Sequence, residues 1–129
     1  MNTIEALKQL VVAMRADTSI FSLLWNRIYI GQPKADIQTG NYMTINIIWQ
    51  VQNIEVNNRT RIEFRFIGKD NTVDIDTLAN IETVVTDFIR GKTNDLWFYK
   101  YEIGTFVNGY DEKKTPMLVR DFVFYHTTS

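Results

Sequence analysis

Apolar residues recur at the spacing of one helical face in two long segments, which predicts helices over residues 3–16 and 73–90. The first stripe contains Ile4, Leu7, Leu10, Val11 and Met14, and the second contains Ile75, Leu78, Ile81, Val85, Phe88 and Ile89. Asn2 and Glu5 have the spacing of a capping box at the start of the first helix. Asp17 can cap a shorter helix that ends near Leu24.

Alternation of apolar and polar residues predicts a long antiparallel hairpin. In residues 42–52 the inward set is Met43, Ile45, Ile47, Trp49 and Val51, and only Ile48 breaks the alternation. After the turn-forming pair Asn57-Asn58, residues 59–68 alternate again, with Ile62, Phe64 and Phe66 inward. One face of this hairpin is therefore expected to be buried.

Three further segments are predicted to be strands, at residues 27–30, 96–103 and 117–126. The order α-β-β-β-α-β-β predicts a single α+β domain over residues 1–129. We expect an antiparallel sheet of four to five strands with two main helices packed on one face.

The predicted strands carry more apolar residues than two helices on one face can cover. The residues expected on the second face as a subunit interface are Ile48, Ile67, Tyr99, Val123 and Tyr125. Either the C-terminal strands are sandwiched within the chain or this face meets another subunit, because large apolar patches are seldom left in water. We favour the second possibility, and contact through two different surfaces produces a ring or a fibre.

Composition argues against most enzyme chemistry. The chain has no cysteine, one histidine and a formal net charge of -1, so thiol catalysis, disulfides and a histidine cluster are excluded. No apolar stretch approaches the ~20 residues of a membrane span. The N-terminus is typical of an amphipathic helix rather than a signal peptide, and we expect residence in the cytoplasm. We predict no enzyme activity, no catalytic, metal or cofactor-binding residue, and no membrane partner.

Three groups of residues are candidate sites. His126 has no second histidine beside it and is interpreted as a surface residue. The aspartates of residues 70–76 lack the ligand spacing of a calcium loop and suit the start of a helix instead. Arg59, Arg61 and Arg65 leave a nucleic-acid-binding module open as a less favoured alternative, without sequence-specific recognition.

The N-terminal third resembles the tail terminator, or tail completion, proteins of long-tailed bacteriophages. The similarity lies in the helix I-E-A-L-K-Q-L, the following L-V-V-A-M-R-A-D, the junction L-L-W-N-R-I-Y, and a strand that opens at Tyr42. The order of the remaining elements is also similar to that family, although Asn41 stands where the family has a proline.

The resemblance implies a structural virion protein of the tail or neck, assembled in the host cytoplasm. It implies a homohexameric ring that caps the tail tube, ends its polymerisation and provides the head-joining surface. Its implied partners are other copies of itself, the tail tube protein and a head-tail connector or stopper protein. Another head-to-tail joining protein, a stopper or an adaptor, is the alternative.

Two polar loops are the candidate contacts with those partners, because a rigid scaffold positions loop tips for binding. The candidate residues are Asn53, Glu55, Asn57, Asn58, Arg59, Tyr110, Asp111, Glu112, Lys113 and Lys114. A third candidate is the segment 31–41. The alternative interpretation of any one of these loops is a solvated turn without a partner contact.

Overall fold

The computed structural model of the protein describes residues 3–33, 39–51, 58–92, 98–110 and 115–126. Its elements are α1 (Thr3–Ala16), α2 (Thr18–Leu24), β1 (Ile28–Ile30), β2 (Tyr42–Val51), β3 (Asn58–Ile67), α3 (Ile75–Lys92), β4 (Phe98–Tyr110) and β5 (Pro116–His126). Each predicted helix and strand has a counterpart in this list. The strand β4 continues to Tyr110, well past the predicted end at residue 103.

The strands form one five-stranded sheet in the order β1-β2-β3-β5-β4. The pairs β2-β3, β3-β5 and β4-β5 are antiparallel. The strand β1 runs parallel to β2, with Ile28 aligned with Met43, so the prediction of a purely antiparallel sheet is wrong at this edge. The two strands begin at the same end of the sheet, since Ile28 and Ile30 are aligned with Met43 and Ile45, and they do not pair as a hairpin.

All three helices contribute to one core against the same face of the sheet. Its centre is aromatic: the Phe64 ring lies 5.4 Å from Phe122 and 6.4 Å from Phe124, both in edge-on arrangements. These three side chains are fully buried. Burial of each contributes roughly 1.5–3 kcal/mol of transfer free energy.

The helical stripes are buried largely as predicted. Helix α1 buries Ala6, Leu7, Leu10, Val11 and Met14, and α3 buries Leu78, Ile81, Val85 and Ile89. Ile4 is the exception at 42% exposure, while its neighbour Thr3 is buried. The buried stripe of α1 therefore passes through position 3 rather than position 4. Asp17 caps α2 as predicted, because its carboxylate accepts the backbone N–H of Ile20 at 3.0 Å.

A bulge interrupts β2 at Ile48, the residue that breaks the alternation in the sequence. Ile47 pairs with Ile62 and Trp49 pairs with Arg61, so Ile48 is an extra residue between two aligned pairs. The register with β3 therefore shifts by one residue at this point. The side chains of Trp49 and Val51 lie outside the described part of the chain, and their inward orientation stays a prediction. Ile47 and Ile48 are 36% and 46% exposed.

Candidate functional site

The sheet face against which none of the described helices packs is called the open face. It is formed by the strand residues that alternate with the core residues, because successive side chains of a strand point to opposite sides. Its described members with known burial include Thr44, Asn46, Arg61, Glu63, Arg65, Ile67, Val119, Asp121 and Val123. These residues decide what the face can bind.

Charged side chains occupy the middle of the open face. Arg61 Nη2 lies 2.5 Å from Asp121 Oδ2, and the Arg65 guanidinium donates to the Glu63 carboxylate. The side chains of Glu63 and Asp121 are 14% and 7% exposed, respectively. Each arginine thus has its charge compensated by a neighbouring carboxylate, and this part of the face is a paired charge cluster.

The predicted apolar interface is only partly exposed. Ile48 is 46% exposed, whereas Ile67 and Val123 are each 6% exposed within the single chain. Both lie in strands with a neighbour on either side: Ile67 between Tyr42 and Met117 in register, and Val123 between Arg61 and Tyr101. The expectation that these two leave apolar surface in water is therefore corrected.

The other two predicted interface residues, Tyr99 and Tyr125, face each other as register partners of β4 and β5. Their side chains lie outside the described part of the chain, and their contact with another subunit stays a prediction.

The candidate loops adjoin opposite ends of the sheet. Asn58, at the start of β3, is aligned with the end of β5, whereas Tyr110 and Pro116 flank the connection beside the end of β3. Strands of ten residues span roughly 33 Å, so the two connections are far apart. Asn53, Glu55, Asn57 and the segment 111–114 lie outside the described residues; Arg59 is exposed in β3. Their contacts with partners stay predictions.

A groove of about 290 Å³ lies beside β2 on the open face. Its lining residues are Gln32, Pro33, Tyr42, Thr44, Asn46, Ile48, Glu63, Arg65 and Ile67. The floor is made by strand residues, and the side next to β1 is made by Gln32 and Pro33, which follow Gly31 with its positive φ of 81°. The lining of the groove is therefore mostly polar and includes an ion pair, with a smaller apolar part.

An exposed aromatic pair closes α2 on the helical side of the sheet. The rings of Phe21 and Trp25 are 5.2 Å apart, and the two residues are 37% and 58% exposed. The backbone of Trp25 has φ 52° and ψ -129°, and the N–H of Arg27 donates to the carbonyl of Leu24 at 2.9 Å. These features match the first central position of a type II′ turn, where glycine is strongly preferred.

The turn that holds Trp25 is fixed from two sides. The backbone N–H of Trp25 donates to the carbonyl of Phe21 at 2.8 Å. The Arg15 Nη2 group donates to the carbonyl oxygens of Ile28 at 2.8 Å and Asn26 at 3.2 Å. A tryptophan in this conformation costs of order 1–3 kcal/mol. Sequence reasoning missed this residue, because nothing in L-L-W-N-R signals a positive φ.

The acidic segment 70–76 forms turn contacts. Asp70 Oδ1 accepts the N–H of Thr72 at 2.8 Å and its hydroxyl at 2.5 Å, and Asp74 accepts the N–H of Asp76. The hydrogen bonds from Thr72 hold the pKa of Asp70 below its ordinary value. Among the described residues, no three His, Cys, Asp or Glu side chains are grouped to hold a metal ion. The side chain of His126 is outside the described part.

None of the helices in the described part of the chain combines the length and the apolar content that crossing a membrane requires.

No family model and no curated protein matches the sequence. Among solved structures, a chain in the virion of a native gene transfer agent particle is similar, with a TM-score of 0.66 and 15% identity. The similarity covers 95% of this chain and 92% of that chain.

This fold occurs in a virion. At 15% identity the likeness shows the fold, and the mutual coverage shows that the two chains share it almost from end to end.

Proposed function

We propose that this chain is a structural virion protein that forms a ring on the end of a phage tail tube. In that position it ends polymerisation of the tube and offers a surface for joining the head. The observation that carries the proposal is the fold shared with a chain of a gene transfer agent virion, over nearly the full length of both. The N-terminal resemblance to tail terminators supplies the specific role, the hexameric ring and the position in the tail or neck.

The placement of the candidate loops supports a two-sided contact. A ring that caps a tube and joins a head needs one surface toward each, and the two loops adjoin opposite ends of the sheet. The rigid five-stranded sheet between them holds the two ends at a fixed separation. We propose that one end meets the tail tube protein and the other meets the connector or stopper protein.

The protein would act by surface complementarity and without catalysis. Docking on the tube needs a face that reproduces contacts of a tube subunit, and termination needs an opposite face that the next tube ring does not fit. The paired charges of the open face suit specific contact between proteins, since charged groups fix register and exclude wrong partners.

A nucleic-acid-binding module is less well supported. Two of its three candidate arginines contact carboxylates, Arg61 with Asp121 and Arg65 with Glu63. Phosphate binding needs uncompensated positive charge, and binding that depends on phosphates weakens steeply with salt. No retention on single- or double-stranded nucleic acid at low salt is the result that we expect.

Tail length in particles made without this chain tests the proposed role. Electron microscopy should show tails that continue past the normal length, because nothing ends tube growth, and supplying the chain in trans should restore it. Tails of normal length detached from filled heads would instead assign the chain to the stopper or adaptor class. Intact, infectious particles in its absence would contradict both roles.

A further inference from the structure

We draw no further inference here: the strongest candidate, the exposed aromatic pair of Phe21 and Trp25 at the end of α2, is an apolar patch on the helical layer, and nothing in the structure shows what covers it.

Discussion

The variant Trp25→Gly should be more stable than Trp25→Ala, although glycine is usually the more destabilising of the two residues. Both substitutions remove the indole and its contact with Phe21, so that loss is common to the pair. They differ at the backbone, because alanine retains the side-chain carbon that disfavours φ 52° and glycine does not. The comparison therefore isolates the strain of the turn.

The magnitude follows from two opposing terms. Relief of the backbone strain favours the glycine variant by of order 1–3 kcal/mol. The greater freedom of glycine in the unfolded chain disfavours it by roughly 0.5–1 kcal/mol. The glycine variant should thus be more stable than the alanine variant by about 1 kcal/mol. For a domain of 129 residues, unfolding entropy of about 2.1 cal/mol/K per residue converts this into a Tm difference of about 4 °C.

Urea unfolding followed by circular dichroism, at a protein concentration where the chain is monomeric, measures the difference. The matched control is Val12, an exposed position inside α1 with ordinary helical backbone. There the glycine variant should be less stable than the alanine variant by about 1 kcal/mol. If glycine is the less stable variant at position 25 as well, the strain assigned to Trp25 is refuted.

Three further substitutions test the packing, the buried ion pair and the helix cap. Phe64→Ala opens a cavity under the helices and should lower the free energy of unfolding by about 3–5 kcal/mol; a loss below 1 kcal/mol would show that the aromatic centre is not close-packed. Glu82→Ala removes a carboxylate that accepts from Arg120 Nε at 2.8 Å and from the Thr86 hydroxyl at 2.9 Å, and the loss of these hydrogen bonds should cost about 1.5–3 kcal/mol. A loss no larger than that of Val12→Ala would contradict this reason. Asp17→Ala should lower the free energy of unfolding by about 1 kcal/mol in the same urea assay, and Asp17→Asn should lower it much less, because asparagine can also cap the helix. Equal losses would mean that Asp17 does not stabilise the protein by capping α2.

The elements and most of the core were predictable because each helix and strand carries a period of its own. The alternation of β3 placed Phe64 and Phe66 inward, and the helical stripe of α3 placed Leu78 and Val85 inward; all four are buried in one core. Even the bulge left a trace, since Ile48 broke an otherwise regular alternation. Patterns of this kind report which side of an element is buried.

Direction, backbone strain and buried charge were not predictable from those patterns. Three residues of β1 contain no signal that distinguishes parallel from antiparallel pairing. Trp25 occupies a turn position where glycine is expected, so the local sequence did not predict the observed turn. The contact of Glu82 with Arg120 joins two charges at inward positions of α3 and β5. Their places inside apolar stripes were the available signal for a buried pair.

For the candidate contact residues, the sequence predicted the face of the sheet but not the degree of exposure. Exposure of Arg59 and Ile48 agrees with a surface role, whereas Ile67 and Val123 are buried within the single chain. Sequence alternation assigns a residue to a face but does not say how closely the flanking strands cover it. The groove depends on Pro33 and Arg65, which are distant in sequence, and no local motif indicates such a combination.

Cryo-electron microscopy of the assembled particle, at a resolution that separates strands, measures most directly where this chain resides. We predict a closed ring of the five-stranded fold at the head-proximal end of the tail tube, with one end of each sheet toward the tube and the other toward the head connector. Tail necks whose density contains no copy of this fold, in particles that are otherwise complete, would contradict a terminator role for this chain.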